Sequence, residues 1–157
     1  MAMGARAKSA NPDDVHRKRV VDLLAAAHLD ELRVLWSALP FAPEAHFLRG
    51  PETGLVMVRG RIGGGGACFN LGEVTVTRAT CRLASGQVGH AQALGTSKEK
   101  ARLSAIFDAL WQDEAHRDRI EALLAAVERR LNEGDRVKAE QVAATKVDFF
   151  TMVRGED

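Results

Sequence analysis

The sequence predicts an α+β fold: an antiparallel β-meander in the middle of the chain, packed by N-terminal and C-terminal helices, with an extended apolar C-terminal segment. Three observations carry this. Apolar residues recur at helical spacing near both ends. Between Ala45 and Gly95 glycines are dense and β-branched residues appear. Short turns join the strand-like runs of that middle region. The chain has 157 residues, 46% of them hydrophobic and 27% charged, which suits one globular domain.

Residues 1–11 read as a disordered head, leaving 12–157 as the domain. Asn11-Pro12-Asp13-Asp14 has the form of a helix start, with a capping residue, a proline at the first helical position and acids that complement the dipole. That helix runs to about Ala27. A second spans about Asp30 to Leu39, where Leu32, Leu35, Trp36 and Leu39 form a stripe that Pro40 and Pro43 terminate. Gly54 to Ile62 alternates as a strand, with Val56, Val58 and Ile62 on one side and Met57, Arg59 and Arg61 on the other. Four glycines, Gly63 to Gly66, then make a turn before a short strand, Ala67 to Asn70. Leu71-Gly72-Glu73 reads as another turn, and Val74 to Leu83 as the next strand. There Val74 and Val76 share a parity with Arg78 and Arg82, a slip that a bulge near Thr77–Ala79 would explain. Ser85-Gly86 is a hairpin signal before a returning strand, Gln87 to Leu94.

After Gly95 the helical period returns. Thr96-Ser97-Lys98-Glu99 has the form of a capping box. Leu103, Ile106, Phe107 and Leu110 mark an apolar face, against Ala101, Ser104, Ala105 and Asp108. A further helix, His116 to Leu131, carries Ile120, Leu123, Leu124 and Val127, and Asn132-Glu133-Gly134 is expected to close it. Asp135 to Thr145 is weakly amphipathic.

Composition excludes several functions. Lys and Arg total 22 against 21 Asp and Glu, a net charge of +1, so nothing argues for nucleic-acid or membrane-surface binding. No apolar run approaches the ~20 residues of a transmembrane helix. The polar N-terminus has no apolar core of a secretory signal, and the chain has only two cysteines, Cys68 and Cys81; both fit a cytoplasmic setting. The five histidines are scattered, with no H-E-x-x-H and no C-x-x-C, so no metal site is expected. No G-x-S-x-G context and no paired carboxylates suggest a catalytic centre; Glu52 and Glu73 read as surface or turn residues. The glycine run lacks both phosphate-loop patterns and reads as a hairpin turn. Gly95-Thr96-Ser97-Lys98 reads as a cap rather than an anion cradle.

Two features stand out. From Arg49 to Arg82 there are five arginines, no lysine and only two acids. Arginine's planar fork suits phosphate or carboxylate. Arg59, Arg61, Arg78 and Arg82 are therefore candidates to meet a phosphorylated ligand or an acidic partner surface, with a solvated strand face as the plain alternative. The second feature is the tail, Lys146 to Gly155. Chain ends are usually polar. This one carries Phe149, Phe150, Met152 and Val153, and an extended conformation would make both of its faces apolar. It either joins the chain's own sheet or docks, with Arg154, on another chain by strand addition.

The stretches Glu52-Thr53-Gly54-Leu55-Val56, Arg61-Ile62-Gly63-Gly64, Phe69 to Arg78, Cys81-Arg82-Leu83 and Lys146 to Gly155 closely resemble the PhnG subunit family of bacterial carbon–phosphorus lyase. The resemblance runs from about residue 15 to the end. It implies a subunit of a phosphonate-degrading complex that works with partners of the PhnH, PhnI, PhnJ and PhnL type. It also implies that the assembly, with ATP and methylphosphonate as substrates, displaces adenine to give ribose 1-methylphosphonate 5-triphosphate. The family's nucleoside-cleaving chemistry is attributed to PhnI, and the later bond-breaking step to a separate radical-SAM subunit. The resemblance therefore implies no catalytic residue, metal or cofactor in this chain, and a mainly structural role. Members differ at the glycine run and at Cys68, which receive no role. A stand-alone binder of small phosphate-ester anions is the alternative.

Overall fold

The computed structural model describes residues 12–63 and 65–144. The elements follow the predicted order: α1 (Pro12–Ala26), α2 (Leu29–Ser37), β1 (Ala45–Arg61), β2 (Cys68–Leu83), β3 (Val88–Leu94), α3 (Lys98–Trp111) and α4 (Glu114–Ala144). The strands form one antiparallel sheet in the order β1-β2-β3. The fold is α+β, a meander flanked by N- and C-terminal helices. The predicted head and the extended apolar tail lie outside the described residues.

Helix α3 packs on one sheet face, and α1, α2 and α4 surround it. It is therefore buried nearly all round. Leu103, Ile106, Phe107 and Leu110 are buried as expected, but so are Ser104, Ala105 and Asp108, which the sequence placed on an opposite face. Cross-packing also explains the small residues. Gly89 on β3 lies so close to α3 that a Cβ there would sit 1.9 Å from the Ala105 carbonyl oxygen. Ser97 caps α3, accepting a hydrogen bond from the Lys100 backbone N–H at 3.2 Å. The expected Thr96–Glu99 box does not form; Glu99 instead meets Arg33 at 2.6 Å.

Asp108 is the buried polar centre. It accepts from Arg17 Nε at 3.1 Å and Nη2 at 2.7 Å, and from the His90 backbone N–H at 2.7 Å. Arg17 Nη2 also donates to the Val88 carbonyl at 2.8 Å. One carboxylate thus joins α1, α3 and the outer edge of β3.

The strands differ from expectation in three ways. First, β1 begins at Ala45 rather than Gly54, its early part hidden in the sequence by irregular pairing. Register shifts fall between Phe47 and Arg49 and between Arg49 and Glu52. Gly50 has φ +63°, and a Cβ there would lie 2.6 Å from the Arg78 carbonyl oxygen. Second, Leu71-Gly72-Glu73 is not a turn. It is a bulge in one continuous β2, since Val58 pairs with Gly72 but Arg59 with Asn70. Third, there is no bulge at Thr77–Ala79: β2 pairs with β3 without interruption from Val76–Leu94 to Arg82–Val88. Val74, Val76, Arg78 and Arg82 share one face because its surroundings change along the strand.

The third finding follows from where β3 ends. β3 ends at Leu94, opposite Val76, while β1 and β2 continue to Arg61 and Cys68. The distal half is a two-stranded ribbon extending about 25 Å beyond the three-stranded sheet at ~3.3 Å per residue. The Gly63–Gly66 turn lies at its tip; Gly64 is outside the described residues.

Helix α4 also outruns the body. The sequence predicts its end at Asn132-Glu133-Gly134, yet it continues to Ala144. A helical glycine costs about 1 kcal/mol relative to alanine. Arg136 offsets part of this by pairing with Glu133 at 2.7 Å and Glu140 at 2.6 Å. The apolar stripe stops at Leu131, and residues 132–143 are exposed. This arm is about 20 Å long at 1.5 Å per residue. Ribbon and helix leave the same pole, where Lys100 Nζ donates to the Ala25 carbonyl and Arg130 Nη2 to that of Ala26. Helix α4 contacts α1, α2 and α3 but no strand, so the two arms do not touch along their described lengths.

Cys81 is buried in the core, and burial pushes its thiol up to about 11 from an ordinary 9.0. The native chain then holds a proton that the unfolded chain releases between these values. The contribution is intact below pH 9, and stability falls as pH rises from about 9 toward 11. At pH 8 a thiol reagent should label exposed Cys68 promptly and Cys81 only in denaturant. Equal labelling rates on the native chain would contradict this burial.

Candidate functional site

The four arginines singled out from the sequence do not form one basic face. The pleat divides them. Arg78 and Arg82 lie on the sheet face opposite α3, whereas Arg59 and Arg61 lie on the other face, far out on the ribbon and past the helices. Arg59 pairs in register with Asn70 and Arg61 with Cys68.

Around Arg78 the structure adds residues that sequence reasoning missed. The β1 irregularity brings Arg49 and Glu52 to it: Arg49 Nε reaches Glu52 Oε1 at 2.6 Å, and Arg78 Nη2 the same oxygen at 3.5 Å. Arg78 Nε is buried without a hydrogen-bond partner. Arg49 and Arg78, with Thr80, His90, Gln92 and Val21 of α1, line a groove of about 400 Å³. Arg49 belongs to the arginine-rich stretch, but no sequence signal placed it or His90 beside Arg78, because their juxtaposition depends on the β1 bulges and on β3 register. Arg82 is exposed and has no carboxylate partner among the described residues.

The groove offers two guanidinium groups and the polar side chains of Thr80, His90 and Gln92. Thr80 Oγ1 lies 3.2 Å from His90 Nδ1. Asp108 holds the backbone N–H of His90 rather than the imidazole. A smaller cavity of about 240 Å³ lies at the other end of the sheet, lined by Phe41, Leu83, Leu110 and His116 among others. Phe41 and His116 stack there with ring centroids 4.7 Å apart. Among the described residues no three His, Cys, Asp or Glu side chains gather to hold a metal ion. No described helix is long and apolar enough to cross a membrane.

The exposed apolar side chains concentrate on the ribbon: Leu55, Met57, Ile62, Phe69 and Leu71. An isolated two-stranded hairpin is marginally stable in water, and this one offers unburied apolar surface on both faces. Phe149, Phe150, Met152, Val153 and Arg154 fall outside the described residues.

The described residues thus define an α+β protein with two projecting arms and exposed arginine and apolar side chains on the sheet and ribbon. It belongs to the PhnG family. The model of that family, described as phosphonate metabolism protein PhnG, matches residues 15–155. The chain is also 59% identical, over 155 residues, to the alpha-D-ribose 1-methylphosphonate 5-triphosphate synthase subunit PhnG of Rhizobium meliloti (strain 1021), with 99% of each chain covered.

Proposed function

We propose that this chain is a subunit of a carbon–phosphorus lyase core complex with a mainly structural role in ribose 1-methylphosphonate 5-triphosphate synthesis. In that reaction methylphosphonate displaces adenine from ATP, and both are substrates of the assembly. The close relative is named as a subunit of that synthase. The structural observation that carries the role is the pair of arms, whose outer surfaces bury nothing of the described chain. Partners of the PhnH, PhnI, PhnJ and PhnL type, in the cytoplasm, suit this reading. Residues 12–157 serve in it as one unit. No observation favours a stand-alone anion binder.

The C-terminal residues Phe149, Phe150, Met152, Val153 and Arg154 are the proposed partner contacts. Co-expression with the neighbouring subunits tests this. The full chain should co-purify with them, and a chain truncated after Thr145 should remain folded but recover less than a tenth as much complex. Undiminished recovery would return the tail to the chain's own fold. A full-length chain that ignores those subunits would overturn the assembly role itself.

A further inference from the structure

We infer that the ribbon face carrying Leu55, Met57, Arg59 and Arg61 is a docking surface for a partner polypeptide that presents carboxylates among apolar side chains. This rests on the assembly reading above and specifies what one arm grips.

The four residues alternate along β1 and so point to one side. All four are exposed. Two are apolar and two are cationic, a pattern that buries area and fixes register together. The cations distinguish the occupant. Among the described residues Arg17, Arg19, Arg33, Arg49, Arg78, Arg130 and Arg136 each meet a carboxylate. Arg59 and Arg61 meet none, as is also true of Arg82, Arg102, Arg117, Arg119 and Arg129, but Arg59 and Arg61 stand two residues apart on one strand beside exposed Leu55 and Met57. Arg61 has only a long 3.4 Å contact to the Gly66 carbonyl oxygen. Across the pleat, β2 offers this face Thr75, Glu73, Asn70 and Cys68, with its one acid opposite Met57 rather than an arginine. Two guanidinium groups are therefore held two residues apart on the ribbon with their matching charges left to another molecule.

A second copy of this chain is a poor match. Self-pairing of this face would bring two cations toward two cations with one acid per copy, and like charges across a ladder are destabilising. Nucleic acid is also a poor match, since the chain's net charge is +1. Backbone pairing can strengthen the contact. Beyond Leu94, β2 has no strand on its β3 side, so an extended partner segment has an edge to join.

The test measures binding of the purified full chain to the remaining co-expressed subunits of its synthase. The double substitution Arg59→Glu, Arg61→Glu should weaken binding at least tenfold and flatten its salt dependence. The milder Arg59→Gln, Arg61→Gln pair should have a smaller effect in the same direction. Arg119→Glu, at an exposed position of α4 away from the ribbon, should bind as the parent does. Unchanged circular dichroism and thermal midpoint establish that each variant is folded. Parental binding by the folded glutamate double variant overturns this surface while leaving the assembly role intact. Failure of the unsubstituted chain to bind overturns both. Sedimentation of the chain alone provides the last arm: a dimer that the glutamate pair dissolves would make a second copy the occupant and overturn the heterologous partner.

Discussion

Asp108→Ala should destabilise the chain by about 3 kcal/mol, the lower end of the cost of breaking a buried charge pair. The carboxylate is fully buried and accepts three hydrogen bonds, two from Arg17 and one from the His90 backbone. Alanine would strand the His90 N–H at the β3 edge and leave the guanidinium without its carboxylate. The lower end applies because the Arg17 side chain is 33% exposed, so water can recover part of its charge. Arg17 also keeps its contact to the Val88 carbonyl, a further reason for moderation. Asp108→Asn retains one acceptor and should lose less. Urea unfolding followed by circular dichroism gives both values. A loss below 1 kcal/mol for alanine would mean that the joint between α1, α3 and β3 is held by packing alone.

The buried position of Asp108 shows where sequence reading stops. Period alone assigns Leu103, Ile106, Phe107 and Leu110 to the inside of α3, correctly. It assigns Asp108 to the outside because charged residues seldom lie buried. Three neighbouring elements cover α3, and no local pattern encodes how many neighbours a helix will have. Strands show the same limit. The alternation from Gly54 onward is clear because one stretch of β1 pairs regularly there; from Ala45 to Thr53 the register shifts twice and the alternation is lost. The parity slip near Thr77–Ala79 suggests a bulge, but Val76 and Arg78 share a face whose surroundings change where β3 ends.

The candidate site was legible in kind rather than in arrangement. Arginine enrichment between Arg49 and Arg82 is plain in the sequence, and so is the alternation that exposes Arg59 and Arg61. That Arg78 joins Arg49, Glu52 and His90 is not, because residues from three strands meet there across 41 positions of chain. The sequence also marks the end of α4's apolar stripe at Leu131. Beyond it the only sign that the helix continues is the weak amphipathicity of Asp135 to Thr145, because side-chain pairs such as Arg136 with Glu133 and Glu140 can sustain an exposed helix without a core.

Gly89→Ala should be the companion to Asp108→Ala, with a loss of about 3 kcal/mol at the upper end of overpacking costs. A methyl group at Gly89 would lie 1.9 Å from the Ala105 carbonyl oxygen, 2.6 Å from the Ala109 nitrogen and 2.8 Å from the Ala109 Cβ. Two of these are backbone atoms of α3, so no rotamer change relieves the clash; the helix must move from the sheet. That movement would also stretch the Asp108 bond to His90, one residue along β3. For a chain of this size, 3 kcal/mol corresponds to a fall of about 10 °C in thermal midpoint. The effect separates folding from docking. Gly89 faces the helix layer, away from the open sheet face and far from the ribbon tip. Loss of folded chain should therefore lower the yield of assembled complex, while the complex that forms keeps its subunit ratio and its affinity. Weakened affinity in the folded fraction of Gly89→Ala would show instead that partners read the spacing between α3 and the sheet.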